Sequence, residues 1–433
     1  MLSAIQYHER TKHHPGRYAR SPGFLDWANE PNPFRTYEGS RLLSLPLAEK
    51  GPDLNYQDLY ERKNKTPQAF TFKNISTLLE FSLGLSAWKS YEGSSWVLRM
   101  NPSSGNLHPT EAHLILPPLP ETDDRGGVYH YNSFRHSLEQ RTAFDAGFWS
   151  KIRDYFRMDG FFIGLSSIHW RESWKYGERA FRYCNHDIGH AMACLGLAGN
   201  LLGWKTTYLN ALSDEDIEVL LGFQKVQWHN SERENPELLL FICKNSDEDI
   251  PRDIPQEIIE AFRSFSYSGG PNRLSREHKD WQVIDQVSEA TAKPETPGMR
   301  YIYRDYEFFE KEEPSTLAAE IIRRRRSAVA FDGKTSMQKR HFLGMLDKTI
   351  PRSHAAPFDL EAGEPSVHLL IFVHRISGLE PGLYFFFRNE RDGELKQKCR
   401  PDFLWERVDG TTGLLQLYLL KKGDFRNEGA TAG

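Results

Sequence analysis

Cysteine is scarce in this chain and long apolar runs are lacking. The four cysteines among 433 residues, Cys184, Cys194, Cys243 and Cys399, are too few and too scattered for a disulfide framework, and none forms a CxxC pair, so a reducing compartment fits best. No stretch reaches the apolar length that a membrane helix requires. The opening MLSAIQYHERTKHHPGRYARSPG places charge and histidine where a secretory signal needs an apolar core. A cytoplasmic protein is therefore expected. Neither charge dominates: 55 Lys and Arg against 59 Asp and Glu leave a formal net charge of -4, which gives no chain-wide reason to bind nucleic acid or an anionic membrane. What is present, 39% hydrophobic and 26% charged residues, is ordinary globular composition, in a chain long enough to bury two cores.

Residues 1–55 are rich in His, Arg, Pro, Trp and Asn without helical or alternating pattern, and read as an extended arm with GSRLLSLPL as its one strand. A first domain is expected over 56–245. In it, Asn74 or Ser76 can cap a helix carrying Ile75, Leu78, Leu79 and Leu83. The turn RMNPSSGNLHP leads into a strand alternating at Ala112, Leu114 and Leu116, and GGVYHYN reads as its antiparallel neighbour. DIGHAMACLGLAGNLLGW is apolar on nearly every face and stops at Gly203, as a buried helix does. Ser213 caps SDEDIEVLLGF, and ELLLFIC has the length of a buried strand. Residues 246–310 are punctuated by Pro and Gly and read as a linker with one amphipathic helix at EIIEAFRSF. Over 311–433 the order repeats: a basic cluster and helix in STLAAEIIRRRRSAVAFDGKTSMQKRHFLGML, then two strands in PSVHLLIFVHRISGLEPGLYFFF, at an offset of about 260 residues, which argues for duplication. After LLQLYLLKKGDF, where a full copy would supply a buried helix and a last strand, comes the small polar tail RNEGATAG, so the second copy is expected to be incomplete.

Three clusters are chemically suggestive. Pro102, Ser103, Ser104 and Asn106 offer neutral donors and acceptors in a short turn, suited to a polar chain or a pyrimidine edge, and equally to any strand-initiating turn. Arg325, Arg326 and Ser327 combine forked guanidinium groups with a hydroxyl, a set that suits a phosphate monoester; a solvated basic helix end would use the same residues. Lys175 and Tyr176 lie among Trp170, Trp174, Phe181 and Tyr183, where partial desolvation would tune a lysine for acid/base work, unless it merely snorkels. His186 and His190 are four apart, but spacing fixes no third ligand, so capping or core roles are favoured and no metal is expected.

Taken in order, PSSGNLHP, GVYHY, WKYGERAFRY and DIGH resemble the nitroreductase superfamily, and specifically its SagB-type branch of azoline dehydrogenases. YHERTKHH, RYARSPG and LDWANEPNPFR also resemble the arm of a two-copy subgroup. The resemblance covers about 1–243 well and 315–420 more weakly. It implies an α+β, nitroreductase-like FMN-binding fold, tandemly duplicated as an intramolecular pseudo-dimer with an incomplete second copy, and leaves a further dimer open. Pro102, Ser103, Ser104 and Asn106 match its Pro-Ser-Ser-x-Asn, and Arg325, Arg326 and Ser327 its phosphate site. Arg62, Lys63 and Asn64 match a degraded first-copy version of that site. Thr206 to Ala211 occupy the loop that approaches flavin N5, and Lys175 and Tyr176 match the acid/base pair. The intact phosphate motif and the N5 loop thus fall in different copies. The expected function is FMN-dependent hydride transfer through N5, with an azoline in a modified peptide as substrate. A nicotinamide-driven reductase of small nitro or quinone compounds would need most of the same site, and the rival from another class is a flavin-free docking protein.

Overall fold

Strict alternation along Thr110–Leu116 sends Thr110, Ala112 and Leu114 to one face and Glu111, His113 and Ile115 to the other, and all seven residues are buried. Burial on both faces makes this a central strand. The computed structural model describes residues 2–14, 16–61, 65–244, 249–309, 316–328, 330–389, 394–411 and 413–432. They form two compact units, one of residues 1–300 with 316–325 and the other of 301–315 with 326–433.

The first unit is built on β2 (Arg41–Ser44), β5 (Thr110–Leu116), β6 (Gly126–Asn132), β7 (Ser137–Phe144), β8 (Gly160–Ser167), β9 (Trp204–Tyr208) and β10 (Asn235–Lys244), in the order β2-β7-β6-β5-β8-β10-β9. Every neighbouring pair in this sheet is antiparallel. Short strands β1 (Tyr37–Glu38) and β11 (Gly270–Pro271) pair beside it, and β3 (Leu85–Tyr91) with β4 (Ser94–Arg99) forms a separate hairpin. Ile115, Val128, Phe162 and Phe241 meet α3 (Ala146–Phe156), α6 (Asp214–Leu220) and α7 (Gln256–Ser264) in one apolar cluster. The remaining helices of this unit are α1 (Ala4–Thr11), α2 (Phe72–Ser82), α4 (His169–Tyr176), α5 (Ala180–Leu201), α8 (Gln282–Ala290) and α9 (Ala318–Arg324).

Local signals explain most boundaries, and some differ from expectation. Helix α2 is capped by Thr71, whose hydroxyl accepts from Asn74 N, so it begins two residues before Asn74. The arm contains a helix, because Ser3 and Gln6 close a reciprocal capping box. Segment 249–300 carries two helices, and the apolar side of α8 (Val283, Ile284, Val287) packs with Tyr7 and Ala180. Helix α5 starts earlier than its apolar run and stops as read, before Gly203 at φ +70°.

In the second unit β12 (Met337–Gln338) pairs in parallel with β14 (Ile376–Ser377), while β13 (Leu369–Val373), β15 (Gly382–Phe387), β17 (Gln416–Lys422) and β16 (Glu406–Arg407) form a four-stranded sheet in that order. Its core joins Phe342, Leu343 and Leu346 of α10 (Lys339–Asp347) to Tyr384, Phe386 and Leu417. Short helices α11 (Leu395–Lys398) and α12 (Arg426–Ala432) follow, so RNEGATAG, read as a polar tail, is mostly helical. Among the described residues no helix is long and apolar enough to cross a membrane.

Candidate functional site

The loop between β4 and β5 is wound against ordinary backbone preference. Gly105, Asn106 and His108 have φ of +59°, +62° and +52°. Two left-handed non-glycine residues so close together need surrounding contacts to hold them. Those contacts are the side chains expected to face a ligand. Ser104 donates from N and Oγ to Asp187 of α5, at 3.0 Å to Oδ1 in each case. Ser103 Oγ accepts from His108 N at 2.8 Å. Asn106 donates through Nδ2 to the Val97 carbonyl at 2.8 Å, and its Oδ1 lies 3.0 Å from His108 Nε2. Ser103, Ser104 and Asn106 therefore shape the turn, while Pro102 is half-buried within it.

Lys175 and Tyr176 end α4 beside this turn. Lys175 Nζ donates to the Gly105 carbonyl at 3.5 Å. A Cβ on Gly105 would collide with the Tyr176 hydroxyl and lie 3.1 Å from Lys175 Nζ, so glycine is required there by space as well as by φ. Tyr176 packs on Tyr183, with ring centroids 4.4 Å apart. Burial, reinforced by Glu172, pushes its phenol up to about 12, so it remains a proton donor at neutral pH. The expected aromatic shell around Lys175 is elsewhere. Trp170 and Trp174 share the other face of α4, at i and i+4, and contact His278 and Trp27, while Lys175 is half-exposed with the Tyr176 ring 5.6 Å away.

Behind the turn lies a buried polar network that sequence reasoning missed. Arg171, fully buried, donates to the carbonyls of His108 at 2.7 Å and Asn32 at 3.1 Å and pairs with Glu111 at 2.5 Å. Glu111 and Glu139 flank His130 at 3.1 and 2.8 Å. Burial disfavours charge on His130, but these two hydrogen bonds outweigh it and hold the imidazole at about 9. Glu234 accepts from His113, Ser166 and Tyr37. Alternation placed Glu111 and His113 on the face of the strand opposite Ala112, Leu114 and Leu116, where polar residues are ordinary, and nothing in the pattern showed that this face is buried too. Glu172 is also fully buried, with neither carboxylate oxygen hydrogen-bonded among the described residues. Burial, then the nearby Asp187, holds its carboxyl well above the usual range.

The basic segment divides. Arg323 binds Glu80 and the Ala48 carbonyl, each at 2.6 Å, and thereby clasps α9 to the first unit. Arg325 donates to the Met100 carbonyl at 3.2 Å, two residues before Pro102, and its charge counters the burial that lifts the Cys194 thiol to about 11. Arg326 and Ser327 are exposed and belong to the second unit. Arg62, Lys63 and Asn64 lie outside the described residues. Of the segment read as the Thr206–Ala211 loop, residues 206–208 belong to β9 and pair with β10, and only 209–211 leave the strand; Leu209 N and Ala211 N bond the carbonyls of Leu239 and Arg252, and the hydroxyls of Thr206 and Thr207, on opposite faces of the strand, are buried without a partner among the described residues. His186 and His190 are exposed, and His190 Nδ1 lies 3.7 Å from Asp187. Among the described residues no group of three or more potential ligands could hold a metal ion.

No family model matches the chain. A candidate nitroreductase of Methanocaldococcus jannaschii is 24% identical over 128 residues, which is 29% of this chain, and the chain spans 64% of that curated relative's length. The structure of a candidate nitroreductase from Anabaena variabilis superposes with a TM-score of 0.62 at 19% identity, covering 98% of this chain and 80% of that one. A chain of the E. coli microcin synthetase complex with a truncated precursor bound reaches a TM-score of only 0.31 at 17% identity, over 57% of this chain and 89% of that one, and carries no argument about this protein. The fold is thus nitroreductase-like.

Proposed function

We propose that the protein is an FMN-dependent oxidoreductase of the SagB type, an azoline dehydrogenase. The observation that carries this reading is the convergence of Lys175, Tyr176 and the strained 103–108 turn, with Arg325 reaching the same loop. The donor set fits FMN. Arg325 supplies a guanidinium for the phosphate, with Arg326 and Ser327 next to it in sequence. Backbone groups of the 102–106 turn suit the ribityl chain or the pyrimidine edge, and the 206–211 segment, the end of β9 and the turn after it, matches by resemblance the stretch that approaches N5. The fold of the Anabaena variabilis structure and the local likeness to the Methanocaldococcus jannaschii protein support a redox reading.

When bound, FMN would supply a hydride acceptor at N5. Lys175 Nζ takes the proton from the azoline ring carbon, and hydride loss from the same ring completes the two-electron oxidation to the azole. Tyr176 stays protonated and donates a hydrogen bond to the ring heteroatom or the neighbouring carbonyl. The Gly105 carbonyl holds the lysine in place between turnovers. The segment 316–325, which carries α9, belongs to the first unit, with Asn55 bridging Leu317. Each unit also runs helix, then three strands in antiparallel succession (α2, β5, β6, β7; α10, β13, β15, β17), which supports a duplicated chain.

The likeness to the Methanocaldococcus jannaschii protein favours one alternative, reduction of nitro compounds or quinones by a nicotinamide. The visible spectrum of the purified protein with and without added FMN tests the class. Flavin bands retained after gel filtration support it, and a colourless protein in both samples overturns it. Oxidation of an azoline peptide, set against nitroarene reduction by NADPH, then separates the two substrates.

A further inference from the structure

The first unit carries a cleft of about 770 Å³ between the start of α4, α6 and α8, a volume in the range of ligand sites. Acidic residues line much of it. Glu218 is matched by Arg233 and Glu215 by Arg263, each at 2.9 Å. Asp280, Asp285 and Glu289 are not matched: among the described residues none has a cation within salt-bridge reach, and Asp285 and Glu289 stand one turn apart on α8. Burial and these two like-charged neighbours raise the Asp285 carboxyl. Lys279, also in the lining, has its Nζ 4.9 Å from the Trp281 ring.

One largely buried side chain in the lining points to a ligand independently of the acids. His169 is 8% exposed, and its Nδ1 takes the Asn235 amide at 3.4 Å. Burial pushes the imidazole down to about 4, so it is neutral, and with Nδ1 accepting, its proton sits on Nε2. That nitrogen has no partner among the described residues. Trp281, 7% exposed, has an indole N–H without an acceptor among them. The Trp281 N–H is closed off from the cleft, whereas His169 Nε2 is not sealed off and can donate to an acceptor that a ligand brings into the cleft.

We propose that this cleft binds a basic peptide segment, with a Lys or Arg side chain against Asp280, Asp285 and Glu289 and a backbone carbonyl accepting from His169 Nε2. A metal ion would need three converging ligands, which the described residues do not provide. A polyamine would satisfy the acids but brings no acceptor for His169. The proposal does not depend on flavin.

The test uses the purified full-length chain without flavin, titrated into fluorescein-labelled peptides of alternating Ala and Lys or Ala and Glu, with spermidine as competitor. The Lys peptide should bind saturably and the Glu peptide should not. Asp285→Asn with Glu289→Gln, both at exposed positions, should weaken binding at least about tenfold, and His169→Phe should weaken it severalfold. The same change of charge at exposed Glu121→Gln with Asp124→Asn should leave it within about twofold. Equal weakening by both pairs, no saturable binding, or a matched affinity for spermidine would overturn the assignment. Flavin content, read separately, leaves the redox reading to stand or fall on its own.

Discussion

Replacing Gly105 by alanine perturbs the candidate site through one methyl group. The backbone there has φ +59°, where an L-residue costs about 1–2 kcal/mol relative to glycine. Gly93, at the β3–β4 turn with φ +83°, has nothing within 4 Å of a built Cβ, so Gly93→Ala carries the backbone term alone. At Gly105 the new Cβ would meet the Tyr176 hydroxyl and lie 3.0 Å from its Cε2 and 3.1 Å from Lys175 Nζ. One or both side chains must move by a few tenths of an ångström or more. Both variants should lower Tm by roughly 2–8 °C, since 1 kcal/mol corresponds to about 2–4 °C for a domain of this size class. Only Gly105→Ala should lose turnover, by about 10- to 100-fold, the usual penalty for displacing a reacting group by up to an ångström. Differential scanning fluorimetry and steady-state azoline oxidation by the flavin-loaded protein read the two effects. Equal turnover in both variants would refute the claim that Lys175 and Tyr176 work from their present positions.

Lys175→Ala should reduce azoline oxidation by at least about 100-fold with flavin content unchanged, and persistent turnover would remove it as the base. Arg325→Ala with Arg326→Ala should weaken FMN binding at least about tenfold by fluorescence titration; unaltered affinity would place the phosphate elsewhere. Thr71→Ala removes the α2 cap and should lower stability by about 1 kcal/mol in urea denaturation, without effect on flavin.

Much of the first unit was legible because its signals are local. Alternation marked β5 and β6, Ser213 and Gly203 marked the ends of α6 and α5, and the apolar run at 237–243 marked β10. The cap at Thr71 was missed because Asn74 and Ser76 are equally good caps by type, and only geometry shows that Asn74 N is the group being capped. The site was half legible. Residue types drew attention to the turn and the Lys-Tyr pair, which the fold brings together, but not to the inward hydrogen bonds of Ser104 and Asn106, because Asp187 is 83 residues away from Ser104. The Glu111, His130 and Arg171 network was not legible, since pairing between distant strands and α4 decides it. The charge run at 323–326 could not show that Arg323 is a clasp and that Arg325 reaches the loop.

That network also supplies the last prediction. A buried chain of charges contributes little net stability, because desolvation offsets most of the attraction. Here it holds a particular loop in place. Arg171 grips the His108 carbonyl from behind, and Glu111, anchored through His130 to Glu139, fixes Arg171. A turn with Gly105, Asn106 and His108 all left-handed persists only if its surroundings over-determine it. Protonated His130 closes the chain of charges, so its titration should be visible in stability. An unfolded histidine titrates near 6.5, and here the folded group is held at about 9. Its contribution is therefore complete below about pH 6.5 and is lost as the pH rises through about 9, a change on the order of 3 kcal/mol. Urea midpoints measured from pH 6 to pH 10 should fall across that window. His130→Gln should flatten the fall and lower turnover at every pH, because the grip on the loop is then weakened throughout. A variant that flattened the pH dependence but kept full turnover would show that the network serves stability alone and that the turn is held by Asp187 and its own hydrogen bonds.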